Sequence, residues 1–281
     1  ALSTAALARL SEFDMRRFAR IVWAFARMGV ADLPLIDAIA SASIRRITEY
    51  EAPDLAISAW SWARLQYWDP PLRQSIAAEA IPRMHDLGPQ NLSNLAWSCA
   101  ALRFRACPLL AALASASILL LRDFISQELS NTVWAFAKLS YRHAPFRAAI
   151  SAEALSRMSD ASPDEEFDSQ ACAAIAWAFA TMGYHDGPLL QAISSKAIAP
   201  LRDCRTQELS NLAWSLAVRS VRDHGPLLDA ISSEALRKIS QFQTQHLTNT
   251  AWAFARMGLP DLPLLDSIAA AAISKSSVID V

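Results

Sequence analysis

Residues 128–139 read ELSNTVWAFAKL, and the same dozen returns as ELSNLAWSLAVR at 208–219 and, more loosely, as HLTNTAWAFARM at 246–257. Such a stretch is either a set of separate sites or one brick of a structure that no single copy can build. The tryptophan inside it is the ruler. Aligned on Trp23, Trp60, Trp97, Trp134, Trp177, Trp214 and Trp252, the chain advances in steps of 37, 37, 37, 43, 37 and 38 residues. A proline column keeps the same register eleven residues later (twelve after Trp214): Pro34, Pro71, Pro108, Pro145, Pro188, Pro226 and Pro263. A fixed period in this range marks a repeat architecture.

Each unit reads as two helices. The first runs from about seven residues before Trp to about five after it. Ser126, Ser169, Thr206 and Thr244 stand where an N-cap side chain belongs, and Gly29, Gly183 and Gly258 where a helix closes. The second helix opens at the proline, whose fixed φ suits the first turn. Its apolar stripe in the fifth unit is Leu189, Ile193, Ile198 and Leu201, and a small residue stands six after every proline, from Ala40 to Ala269. In the first helix, Trp and the residue two later (Phe25, Trp62, Cys99, Phe136, Phe179, Leu216, Phe254) are expected to point into the core. Alanine three after Trp recurs in all seven units. A helix apolar on most of its circumference needs cover on several sides, so the pairs must stack on one another. The expected fold is all-α: an α-solenoid of about seven two-helix repeats with the indoles as structural pegs. An aromatic platform for bases is the alternative role for those indoles.

The array occupies the whole chain, 1–281, as repeats near 13–49, 50–86, 87–123, 124–166, 167–203, 204–241 and 242–281. ALSTAALARLSEF at 1–13 aligns with AISSEALRKISQF at 230–242, so the chain is expected to begin inside the second helix of a truncated repeat (1–12). The 43-residue step places extra residues near SDASPDEE (159–166), an acidic loop.

Composition narrows the function. Apolar residues are 53% of the chain, and 26 basic side chains face 27 acidic ones, for a net charge of −1. Bulk attraction to nucleic acid calls for a more basic chain, and DNA is not an expected partner. Of the basic residues 22 are Arg and four Lys, a bias toward paired or planar contacts. Charge drifts: residues 1–160 hold 17 basic and 14 acidic side chains, residues 161–281 hold 9 and 13. Cys99, Cys107, Cys172 and Cys204 form no C-x-x-C pair, which suits reduced thiols and leaves no metal spacing. No apolar run reaches the ~20 residues of a membrane span. His143, His185 and His224 sit in turns before the proline without a catalytic neighbourhood. Neither an enzyme nor a cofactor is expected.

Function on such an array belongs to columns outside the core. Positions seven and three before Trp and four after share one face of the first helix. They hold Gln90, Gln127, Gln170, Gln207 and Gln245; Asn94, Asn131, Asn211 and Asn249, with Arg20 in the first unit; and Arg27, Arg64, Lys138 and Arg256. Amides with occasional cations can meet the edges of unstacked bases. Their regularity favours a structural ladder of amides bonded between adjacent helices. The column six before Trp varies as a reading surface should: Arg17, Asp54, Asn91, Glu128, Ala171, Glu208, His246. Twelve after the proline stand Arg46, Arg83, Arg157, Lys238 and Lys275, with an acidic column (Glu49, Asp86, Asp123, Asp160, Asp203) three residues further on. That edge reads as local ion pairing and not as a phosphate rail.

PQNLSNLAWSCAAL (89–102), SQELSNTVWAFAKL (126–139) and TQELSNLAWSLAVR (206–219) resemble the octotricopeptide and heptatricopeptide repeats of organelle proteins. Those follow a pattern close to P-Q-x-L-x-N-x-x-W-A-x-A-x-L and then a Pro-opened helix. RRFARIVWAFARM (16–28) lacks both amides and fits less well. The resemblance covers essentially the whole chain. It implies single-stranded RNA binding in a chloroplast or mitochondrion, in transcript maturation, stability, translation or the organellar ribosome. The alternative is a protein-binding scaffold or peripheral subunit of a large organellar complex, which the near-neutral charge suits.

Overall fold

The structure is a computed structural model that describes residues 9–67, 69–159, 168–218 and 225–276. Among these residues lie fourteen α-helices and no strand. The first helices of the repeats are α1 (Met15–Met28), α3 (Ala52–Arg64), α5 (Pro89–Ala101), α7 (Ser126–Lys138), α9 (Ser169–Thr181), α11 (Thr206–Val218) and α13 (Thr244–Met257). The second helices are α2 (Leu33–Arg45), α4 (Pro70–Ala80), α6 (Cys107–Leu119), α8 (Ala144–Ser159), α10 (Gly187–Ala197), α12 (Gly225–Arg237) and α14 (Leu262–Ser276). The expected half repeat at 1–12 falls mostly outside the described residues, as does the acidic loop at 159–166.

The chain divides into two compact units, Ala1–Ala149 and Ile150–Val281. Each has α-solenoid packing. In the first, α1, α3, α5 and α7 pack side by side in chain order, with α2, α4 and α6 as a second layer; in the second, α9, α11 and α13 do the same over α10, α12 and α14. The first helices approach one another far more closely than the second ones, and the sequence explains why.

At 3.6 residues per turn, the residues one and three after Trp point to opposite flanks of the helix. Both columns are small. Ser61, Ser98, Ala135, Ala178, Ser215 and Ala253 fill the first, and Ala63, Ala100, Ala137, Ala180 and Ala217 the second, all buried. The exceptions lie at the ends of the described repeats: Ala24 in α1 is half-buried and Ala255 in α13 is exposed. The residue two after Trp faces the second layer, and Trp62, Cys99, Phe136, Phe179, Leu216 and Phe254 are buried there. Only Phe25 is half-buried. In the fifth repeat Leu189, Ile193 and Leu201 are buried as expected, but Ile198 is exposed at the end of α10.

The tryptophans themselves are not core pegs, contrary to expectation. Trp23 and Trp252 are 45% and 42% exposed, and Trp60, Trp97, Trp134, Trp177 and Trp214 are half-buried. The reason is angular: two residues along an α-helix is about 200°, so the column at Trp and the column two later cannot share a core. The column two after Trp takes it, with Trp62 as its one indole.

Caps also sit one residue earlier than the sequence suggests. Ser126, Ser169 and Thr244 are the first helical residues, not N-caps; Asp168 caps α9 through Ala171 N–H at 2.7 Å. The second helices begin one residue before the proline, and Asp32, Asp69, Asp186 and Asp261 accept from the N–H of Leu35, Leu72, Leu189 and Leu264. His143 takes that part before α8, its Nδ1 accepting from Phe146 N–H at 3.2 Å. The serines six after the proline do more than give space: Ser151 and Ser232 donate to the cap carboxylates Asp186 and Asp261 of the next second helix.

Candidate nucleic-acid interface

With Trp turned outward, four positions of each first helix form one solvent-facing strip: seven and three before Trp, Trp itself, and four after. In α7 it is Gln127, Asn131, Trp134, Lys138; in α13 it is Gln245, Asn249, Trp252, Arg256. Within each unit the indoles of successive repeats draw together. Trp60 and Trp97 have ring centroids 6.3 Å apart, and Trp214 and Trp252 6.4 Å, with planes tilted by 35° and 30°. An exposed indole presents a π-face on which any base can stack.

The amides of this strip are not the ladder that their regularity suggests. Among the described residues, the side chains of Asn94, Gln127, Asn131, Gln207, Asn211, Gln245 and Asn249 make no hydrogen bond to protein. The hydroxyls of Ser98, Ser130 and Ser215 bond backbone carbonyls of this column instead, at 2.5–2.9 Å, and hold nothing of the amide heads. The donors and acceptors therefore stay open to solvent.

The cations of the strip are equally uncommitted. Arg20, Arg27, Arg64, Lys138 and Arg256 are exposed and form no ion pair among the described residues. Arg27 lies over Trp23 at 5.8 Å and Arg256 over Trp252 at 5.3 Å, where the guanidinium and the indole face attract. Arg256 Nε also donates to Ala217 O of the preceding repeat at 3.1 Å.

The variable column, six before Trp, lies off this strip and has a different duty. It is the third helical residue, and in two repeats its side chain reaches back to cap the helix. Glu128 accepts from Ile125 N–H at 3.1 Å and Glu208 from Arg205 N–H at 2.9 Å. Asp54 is buried beside Arg16, and burial raises its carboxyl above the usual range. Arg17 sits 3.7 Å from Asp14, and Asn91 is half-buried. His246 Nδ1 and Thr206 Oγ1 of the preceding repeat are 3.0 Å apart, and burial lowers the imidazole pKa. Arg17 and His246 thus have protein partners and, with Asn91, lie off the strip that holds Arg20, Arg27, Arg64, Asn94, Gln127, Asn131, Lys138, Gln207, Asn211, Gln245, Asn249 and Arg256. The tryptophans lie on it too, placed for the alternative role of an aromatic platform.

The cations twelve after the proline are spoken for, as expected, although mostly by other partners. Arg46 pairs with Glu49, but Arg83, Arg157 and Lys238 pair with Glu79, Glu153 and Glu234, one turn upstream. Each also reaches back, where the partner is described, to the turn at the border between its own repeat and the preceding one. Arg46 donates to Phe13 O at 2.9 Å, Arg83 to Tyr50 O, Lys238 to Cys204 O at 2.6 Å and Lys275 to Ser240 O at 3.4 Å. These carbonyls belong to the turn that leads into the preceding repeat's neighbour, and they would otherwise lack a donor.

Other chemistry is sparse. Among the described residues, no group of three or more His, Cys, Asp or Glu could hold a metal ion, and no helix is long and apolar enough to cross a membrane. Cys99 and Cys172 are buried thiols pushed up to about 12 by desolvation, which keeps them protonated and poor nucleophiles. Cys204 is buried and Cys107 exposed.

Stacked two-helix repeats with one aromatic, amide-rich, cationic strip define an α-solenoid whose chemistry is that of a binding surface. The family model for RNA-editing substrate-binding complex 6 protein matches residues 1–144, just over half of the chain, and the chain belongs to that family. The matched stretch runs through the first unit as far as the first residue of α8. No curated protein matches the chain.

Proposed function

We propose that the protein is a non-catalytic subunit that binds single-stranded RNA along the Trp–amide–cation strip of its first helices. One observation carries the reading. The strip's amides make no hydrogen bond to protein and its cations no ion pair among the described residues, while the cations twelve after the proline are spent on carbonyls and carboxylates. Stacking on indoles, hydrogen bonds to base edges from amides, and charge from Arg and Lys are the three contacts that single-stranded RNA recognition uses. Membership of a family named for an RNA-editing substrate-binding complex supports the reading. With one base per repeat, the footprint is roughly seven or eight nucleotides.

The finer assignment follows the sequence resemblance: an octotricopeptide-like protein of organelle gene expression, with the mitochondrion the compartment that an RNA-editing family favours over the chloroplast. Titration with a random pool of short single-stranded RNA, at low and raised salt, tests the function. Binding that weakens with salt is expected; no binding, or binding indifferent to salt, sinks the proposal.

A second reading, a protein-binding scaffold, is favoured by the last repeat. Leu262 and Ile273 of α14 are 65% and 70% exposed, beside the uncovered Ala255. Affinity capture with and without ribonuclease separates the two, since partners held only through RNA are lost on digestion.

A further inference from the structure

Position six after Trp is in the left-handed region wherever it is described, in six of the seven repeats. In three repeats it is glycine, with φ of 68°, 77° and 67° at Gly29, Gly183 and Gly258. In the second, third and fourth repeats it is Gln66, Arg103 and Ser140, at φ 54°, 51° and 50°. A side chain there is strained, because Cβ crowds the backbone, and glycine is the ordinary solution for closing a helix. The chain uses that solution three times and departs from it in three consecutive repeats. An observed backbone outlier of this kind points to a task for the side chain.

Two of the three line the same cleft. Ala63, Arg64, Gln66, Trp97, Ala101 and Arg103 surround, with Leu102, an open cleft of about 440 Å³ between the ends of α3 and α5. That is within the ~300–1,000 Å³ typical of ligand clefts. Its walls are chemically sorted. Trp97 supplies an aromatic wall, Gln66 an exposed amide, and Arg64 and Arg103 two exposed guanidinium groups with no ion pair among the described residues. A cation in the last turn of a helix is favourable beside the helix dipole. That alone explains Arg64, but not an arginine placed where glycine would relieve strain.

We propose that this cleft is a nucleotide pocket: it seats one nucleotide of a bound single-stranded RNA, base against the Trp97 indole, phosphate held between Arg64 and Arg103. Gln66 meets the base edge with its amide. Two guanidinium groups suit phosphate oxygens, which accept paired N–H donors. Because Arg64, Gln66 and Arg103 are exposed and Trp97 is half-buried, the pocket needs no opening of the core. The inference rests on the RNA-binding reading and adds a fixed point to it: the first unit grips one nucleotide more tightly than the other repeats do.

The strain supplies an unusual test. Replacing Gln66 and Arg103 together by glycine should raise Tm by about 2–4 °C while weakening binding of the random single-stranded RNA pool about tenfold and reducing the salt slope by about 1. Ser140→Gly relieves the same strain outside the cleft, so it should raise Tm with RNA affinity unchanged. If the double variant binds RNA as tightly as Ser140→Gly does, the pocket is overturned, and a loss on Trp214→Ala in the same assay leaves the broader RNA reading standing. If the unaltered protein binds no RNA, both fall together.

Discussion

Two columns of cations run through this molecule, and their fates differ. Lys238 is buried, donates to Arg202 O of the preceding repeat and to Cys204 O at the border of its own, and pairs with Glu234 near the end of the second helix. Lys138, on the Trp-bearing helix of an earlier repeat, is exposed and pairs with nothing among the described residues. Both recur at a fixed place in the repeat, so periodicity alone cannot tell a tie from a contact site. What separates them is whether local acceptors already satisfy the charge. A periodic cation with its acceptors in the neighbouring repeat is architecture; one aimed at solvent beside an indole is available for a ligand.

Breaking the first column should have the larger effect. Lys238→Met leaves Cys204 O without its donor, and Arg202 O and Glu234 with Arg237 alone, and should cost about 2 kcal/mol of stability by chemical denaturation. RNA affinity of the folded protein should be unchanged; a comparable loss of both would place Lys238 on the ligand side after all. Next is Trp252→Ala, which removes a half-exposed ring. It should lower RNA affinity by about 1–3 kcal/mol, as loss of one stacked base does, while its stability cost stays below that of Phe254→Ala in the same helix. Circular dichroism melts beside binding titrations decide between them.

Lys138→Ala should leave the melting curve in place, reduce RNA affinity a few-fold and lower the salt slope by about 1. A melting shift as large as that of Lys238→Met would erase the distinction between the columns. The smallest effect is set by pH. Burial lowers the His246 pKa in the folded chain, so the unfolded chain takes up its proton more readily. Stability should therefore fall as pH drops through the ordinary histidine range near 6.5 toward the lower folded value. His246→Gln should flatten that part of the stability–pH profile.

Much of this was open to reading in the sequence. The Trp and Pro columns give the helix pairs, their order and the all-α class, and the alanine column three after Trp gives the close packing of first helices. Two things were not legible. Hydrophobicity says that a side chain prefers cover, but not which of two apolar columns obtains it. Trp177 and Phe179 belong to one helix, and only the smaller is buried. The amides face solvent in turn, and regular spacing alone cannot tell a bonded ladder from a row of open donors and acceptors. Other misses had a signal. Asp two residues before the proline in four repeats announces its capping role, and Glu79, Glu153 and Glu234 four residues ahead of a cation announce the pairing found. Gln66, Arg103 and Ser140 break the glycine column in plain view, but only the backbone angles show that the break is costly.

The reach of Arg46 to Phe13 O, Arg83 to Tyr50 O, Lys238 to Cys204 O and Lys275 to Ser240 O always runs backward along the chain. Each bond therefore clasps the end of a second helix to the border between two repeats. Nearest-neighbour ties of this kind are mutual, so melting should spread from a lost repeat in both directions within each unit, and a nick in the middle of a unit should free more chain than one at its end.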